Sequence, residues 1–328
     1  MFIAATAFAQ TFTVQTSGTT ASLRGIWAVS EQVVWASGNR GTYLRTVDGG
    51  AHWTAAAVPG AEKLDFRDVQ GVDADTAYLL SIGKGASSRV YKTTDGGAHW
   101  TLSLQNSDAD GFFDEMAFWN PRHGILVGDQ VDGQMVVMVT EDGGATWQHL
   151  KMPPALPGEG AFAASGTGIT VLGDVDVWIG TGGKDAARVY HSADAGQTWT
   201  VGPTPIRADA ASAGIFSLAF SDALHGIAVG GDYSKPNETT GNIVLTANGC
   251  KTWFTATTPP KGFRSAVAYL ADRKIWIAVG TSGADISSDD GKNWKPFDSG
   301  NYNAVSFASS KAGWAAGPGG RIAKFAME

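Results

Sequence analysis

Three arginines, one pair of adjacent carboxylates and six similar turns hold the residues of this chain whose types and spacing could do chemistry. Arg24, Arg67 and Arg264 each follow an apolar residue, in Leu23-Arg24, Phe66-Arg67 and Phe263-Arg264. A guanidinium is a planar fork of donors suited to bidentate capture of an anion, so three that converged would bind a carboxylate or a protein C-terminus. Asp114 and Glu115 offer a different chemistry. Two carboxylates about 5 to 9.5 Å apart across a cleft are the equipment of glycoside hydrolysis, and either residue with Asp129 or Asp232 could supply them. His52, His99, His123, His149, His191 and His225 fall mainly in or beside turns, a spacing that gathers no metal ligands, so no metal site is expected.

The six turns share the form Ser/Thr-x-Asp-x-Gly-x-x-Trp. Their key pairs are Asp48 and Trp53, Asp95 and Trp100, Asp142 and Trp147, Asp194 and Trp199, Asn248 and Trp253, and Asp289 and Trp294. The fifth copy is degenerate, with Asn248 for Asp and Cys250 for Gly. A motif repeated once per structural unit cannot converge on one site, so these residues read as structural. The Asp caps backbone N–H groups of a turn, Gly takes positive φ, and Trp anchors the next strand. On that reading Trp100→Ala costs about 3 to 5 kcal/mol, the loss of a large core side chain.

Successive Trp residues of the motif lie 47, 47, 52, 54 and 41 residues apart, the period of a four-stranded propeller blade. Around each copy run short apolar segments without a sustained helical period. After the sixth copy come three such segments, around Val305, Trp314 and Ile322, and a lone segment at 11–16 precedes the first. These remnants complete one another. The expected fold is all-β: one domain, 11–328, a seven-bladed β-propeller of four-stranded antiparallel blades, closed by the N-terminal strand completing the last blade. Trp35, Trp178, Trp276 and Trp314 recur on second strands and are expected in the core.

Composition removes several alternatives. Lys+Arg 24 against Asp+Glu 31 gives a net charge of −7 without a basic run, which excludes nucleic acid as a partner. The single Cys250 forms no internal disulfide. No apolar run reaches the ~20 residues of a membrane span. The phosphate-loop context of a strand, a glycine-rich turn and a helix is missing, and no cofactor is expected. Residues 1–10 read as a signal-peptide remnant ending in Ala7-Phe8-Ala9, which makes the chain exported, periplasmic or secreted.

Aligning the seven innermost strands by their leading apolar residue places Leu23, Phe66, Phe113, Phe162, Phe216, Phe263 and Tyr302 in equivalent positions. The residues that follow, Arg24, Arg67, Asp114, Ala163, Ser217, Arg264 and Asn303, should then ring one mouth of the central channel. Three guanidiniums would converge there, with Asp114 and Glu115 opposite. A rim closed by internal ion pairs, Arg67 with Asp65 or Asp68 and Arg24 with a neighbouring carboxylate, is the alternative. The longest loop on that face, Gly231 to Gly241, carries Asp232, Tyr233, Lys235 and Glu238 and is a natural place for a binding surface.

The six motifs, with segments such as Phe66-Arg67-Asp68-Val69 and Gly313-Trp314-Ala315-Ala316-Gly317, resemble the bacterial-neuraminidase, or Asp-box, repeat class. Over residues 11–328 the chain resembles, within that class, the photosystem II stability/assembly factor family of cyanobacteria and chloroplasts. The resemblance implies a non-enzymatic propeller that binds another protein, a membrane-protein subunit during assembly, partly through an arginine patch; the chain itself is expected to be a monomer. In a host without a photosystem the resemblance implies a binding role without fixing the client. Arg24, Arg67, Asp114, Glu115, Arg264 and Asn303 are the candidate binding residues. The second reading is a sialidase-like glycosidase or carbohydrate-binding propeller, with Asp114 or Glu115 in its site. Against it, the Arg-Ile-Pro segment usual in sialidases is missing, and xyloglucan-processing relatives usually use two facing propellers.

Overall fold

The computed structural model describes residues 10–327. The expectation for the segment Met1 to Ala9 therefore lies outside the described residues. Strand-forming segments of 2 to 8 residues alternate with turns, and the described residues pair into seven separate four-stranded antiparallel sheets. Blade one runs Leu23–Ala28, Val34–Gly38, Thr42–Thr46 and Thr54–Ala57, and blades two to six follow the same order along the chain. Each first strand packs against the first strands of both neighbouring blades, so these seven surround the central axis.

Blade seven takes three strands from the C-terminal end, Ala304–Ser309, Ala312–Ala316 and Ile322–Met327, and its outermost from the N-terminal end, Gln10–Gln15. Gln10 pairs with Met327 and Gln15 with Ile322 in unbroken register, which closes the ring with backbone hydrogen bonds. Gln15 adds a side-chain clasp: its Oε1 accepts from Trp53 Nε1 at 3.1 Å in blade one and from Trp314 Nε1 at 3.2 Å in its own blade.

The core lies between blades. Trp35, Trp178, Trp276 and Trp314 sit on second strands and are buried, as expected, with Tyr78 in the same place in blade two. Each inter-blade layer mixes side chains of two adjacent sheets, for example Ile125 and Val137 of blade three with Ile179 and Tyr190 of blade four. Among the described residues the only helical segments are the short turns Gly85–Ser87 and Pro318–Gly320, and none is long and apolar enough to cross a membrane.

The repeated motif is the turn from the third to the outermost strand. Thr93 Oγ1 accepts from Gly97 N at 3.0 Å and donates to Asp95 Oδ1 at 2.9 Å, and Asp95 Oδ1 accepts from His99 N at 2.9 Å. The other five copies repeat this pattern, Asn248 standing in for Asp with its Oδ1. Gly97 is required twice over: its φ is +90°, and a Cβ would stand 2.6 Å from the ring of Tyr43. The residue before each Trp closes the turn with a second bond, as Thr146 Oγ1 does to Asp142 Oδ2 at 2.7 Å. His52, His99, Thr146, Thr198, Thr252 and Asn293 all play this part, a polar position that the motif as written from sequence had left open.

The tryptophans of the turns correct one expectation. Trp294 is buried, but Trp53, Trp100, Trp147, Trp199 and Trp253 are only partly so, because each covers the outer flank of a blade interface while the second-strand aromatics fill its centre.

Candidate functional site

The central cavity is shaped by a bulge in the innermost strands. In blade one Leu23 pairs with Gly38 and Gly25 with Ser37, so Arg24 is left between them without a ladder partner. The same skip leaves out Arg67 in blade two, Asp114 in blade three and Phe216 in blade five. A bulge re-aims its extra side chain, and here all four line one cavity of about 540 Å³. The backbone crowding at the bulge explains the glycine opposite it: a Cβ on Gly38 would come 2.5 Å from the Ser22 carbonyl oxygen. Ser265 and Asn303 complete the ring from blades six and seven.

The walls differ in chemistry around the axis. On blades one and two, Arg67 donates from Nε to Asp65 Oδ2 at 2.9 Å and from Nη1 to the Ala163 carbonyl at 3.1 Å. The internal pairing considered from sequence thus exists for Arg67. Arg24 has none: its Nε is buried without a hydrogen-bond partner among the described residues. Burial and the neighbouring Arg67 charge together lower its pKa to about 10, with Asp65 opposing them weakly. A partly desolvated guanidinium that repels its neighbour is an incomplete anion site.

Blade three supplies the opposite sign. Asp114 is 2 % exposed, and its Oδ2 has no partner among the described residues. Burial first, then the charges of Asp129 and Glu115, raise its pKa well above the usual carboxylate range. Asp129, also on the cavity wall, is raised by burial and accepts from Ala161 N at 3.2 Å.

Blade four has an irregular approach to its first strand, which covers only Ile169–Leu172. The preceding Gly- and Ala-rich run, 160–168, lies over the carboxylates of blades two and three. A Cβ on Gly168 would press 2.7 Å from Glu115 Oε2, while Gly166 approaches Asp68 and Gly160 approaches Asp129. Glu115 Oε2 accepts from Ile169 N at 2.8 Å, and Asp68 Oδ2 accepts from Met116 N at 2.7 Å. Both carboxylates are therefore buried links between neighbouring blades.

Blades four to six line the remaining arc with aromatic rings. Phe162 and Phe216 stack with centroids 3.9 Å apart, and Phe263 meets Phe216 edge-on at 4.8 Å. Tyr233, from the long loop, leans on Phe216 at 6.1 Å and is 57 % exposed. In the same loop Glu238 pairs with Arg207, and Lys235 lies 3.7 Å from Asp232.

The ring read from sequence is thus corrected in three places. Ser217 turns into the wall, where its Oγ accepts from Val267 N at 2.9 Å, and Phe216 takes the cavity position. Arg264 is 1 % exposed and faces Asp285, to whose Oδ2 its Nε donates at 2.8 Å, so Ser265 takes the cavity position of blade six. Glu115 points between blades rather than across the mouth. Two guanidiniums therefore reach the cavity, not three. Arg24, Arg67, Asp114 and Asn303 do line it, Asn303 being held by a bond from its Nδ2 to the Leu23 carbonyl at 2.8 Å.

Residues 65–202, which span blades two to four, match a family model described as photosynthesis system II assembly factor YCF48. No curated protein matches the chain by sequence. Among solved structures, YCF48 bound to D1 peptide superposes with a TM-score of 0.63 at 15 % identity, over 99 % of both chains. YCF48 from Cyanidioschyzon merolae gives 0.64 at 20 % identity, over 97 % of this chain and 98 % of that one. The GH74 xyloglucanase from Xanthomonas campestris gives 0.65 at 15 % identity, over 97 % of this chain but 53 % of the enzyme. The resemblance to the assembly-factor family stands on the family model, and the superpositions show a shared fold.

Proposed function

We propose that this chain is a non-enzymatic propeller that binds another protein as an assembly or stability factor, with the cavity mouth as its docking surface. The observation that carries this reading is Arg24: a partly buried guanidinium whose Nε has no hydrogen-bond partner among the described residues, beside Arg67 in a cavity of about 540 Å³ that aromatic rings also line. Such a wall suits a peptide carrying a carboxylate and an apolar side chain. Family resemblance supports the protein-binding class, and a propeller of the same fold is known bound to D1 peptide. The composition of Met1 to Ala9 favours an exported chain, so the client is sought in the periplasm or at the outer face of a membrane.

The test is affinity capture from membrane and periplasmic fractions of the native host, comparing the wild type with Arg24→Ala/Arg67→Ala of verified fold. A partner held by the wild type and lost by the double variant supports the docking surface. Equal retention by both, or hydrolysis of xyloglucan or a sialoside by the wild type, overturns it.

A further inference from the structure

The cavity carries two orphaned polar groups of opposite sign. Arg24 Nε, on blade one, and Asp114 Oδ2, on blade three, are both buried and both lack a hydrogen-bond partner among the described residues. Both residues line the same cavity, yet they form no ion pair with each other. An unmet buried donor or acceptor costs about 1 to 3 kcal/mol, more when charged, so each marks a place where an occupant would complete the wall. The aromatic arc of Phe162, Phe216 and Phe263 lies on the remaining blades.

We infer that Asp114 and Asp129 form a cation-accepting subsite, and that the mouth takes a peptide segment carrying a carboxylate, an apolar side chain and a basic side chain together. This rests on the protein-binding reading above and narrows it. The carboxylate meets Arg24 and Arg67, the apolar group meets the phenylalanines, and the ammonium or guanidinium meets the aspartates. Asp129 is the accessible half of the pair: one oxygen holds Ala161 N, and the residue is only partly buried. In the free cavity, burial and mutual repulsion favour a proton on the pair, and the entering cation displaces that proton to solvent. The charges that act on Asp114 are Asp129 on the next strand and Glu115 on its own; Asp68 of blade two acts on Glu115, and Arg24 and Arg67 of blades one and two line the same cavity. Residues 161–164 of blade four present no titratable side chain to it.

Calorimetric titration of the full chain at pH 8 tests this with three synthetic peptides: acetyl-Lys-Phe-Ala with a free carboxylate, its norleucine analogue without the ammonium, and its C-terminal amide. The lysine peptide is expected to bind at least tenfold tighter than either of the others. Asp129→Asn should reduce the lysine-to-norleucine ratio below twofold while leaving the preference for carboxylate over amide, which keeps the test valid if Asp114→Asn misfolds. Equal binding of the lysine and norleucine peptides, or a ratio that survives Asp129→Asn, overturns the cation subsite alone. Failure of all three to bind at millimolar concentration overturns the peptide-binding reading of the mouth and the subsite with it.

Discussion

Arg264 and Asp285 form an ion pair inside blade six, with the guanidinium Nε donating to Asp285 Oδ2 at 2.8 Å and both side chains almost wholly excluded from solvent. Nη2 donates to the same Asp285 oxygen and to Lys261 O at 2.8 Å, and Nη1 donates to Phe263 O at 2.8 Å and to Ser282 Oγ at 3.0 Å. Every direction in which this guanidinium could bind an outside ligand is occupied. Arg264→Ala leaves the Asp285 charge buried and alone, and is expected to destabilise the chain by about 3 to 5 kcal/mol. Urea denaturation measures this directly, and a loss below about 1 kcal/mol would show that the pair is not a structural unit.

Arg24 is expected to behave in the opposite way. Its guanidinium is partly desolvated and beside a like charge, and its Nε has no partner among the described residues, so its replacement removes an unfavourable term along with any binding role. Arg24→Met should keep the aliphatic packing and be at least as stable as the wild type in the same urea assay, while losing the client or peptide. A clear loss of stability would mean that the guanidinium already has a partner in the free protein.

Asp68 sets a pH dependence of opposite sign to that of ordinary acid unfolding. Burial pushes its pKa up to about 7, against the opposing bonds from Met116 N and Gln70. The folded state therefore holds this proton between about pH 4 and 7 while the unfolded chain releases it. Its contribution to stability is full below the unfolded value and is lost as pH rises through the folded value. Urea midpoints should decline from pH 5 to pH 8, and Asp68→Asn should flatten that decline. An unchanged slope in the variant would assign the effect to other groups.

The turn tryptophans should divide by burial. Trp294 is 3 % exposed and donates from Nε1 to the Gly291 carbonyl at 2.8 Å, so Trp294→Ala should cost about 3 to 5 kcal/mol. Trp100 is half-buried, packs at 5.0 Å on Tyr43, and its Nε1 has no partner among the described residues, so its loss should cost about 2 kcal/mol. Equal costs in parallel denaturation series would contradict the ranking.

The fold was legible because its causes are local and repeated. The turn motif needs only Ser/Thr, Asp and Gly at fixed offsets to satisfy its own backbone, and six copies at blade spacing leave one architecture that can bury the strands between them. Arg24, Arg67, Asp114 and Asn303 were legible as cavity residues for the same reason: their position in the repeat places them. Phe216 and Ser265 were missed because the alignment took Phe216 and Phe263 as anchors, one residue out of step with the bulge. A signal was present in the glycines: Gly38, Gly128, Gly230 and Gly280 mark the crowded backbone, and counting from them recovers the register.

By itself, then, the sequence determined the blade count, the closure of the last blade by the N-terminal strand and the face that holds the mouth, since these follow from period and turn chemistry along the chain. Tertiary structure alone decided which side chains enter the cavity and in what charge state. A one-residue shift at a bulge reverses which way a strand residue points, and the bulge comes from packing against neighbouring blades. It also decided that Asp68 and Glu115 join blades, that Arg264 is already paired and that Arg24 is not, because desolvation and pairing depend on partners 20 to 100 residues away, which no local pattern records.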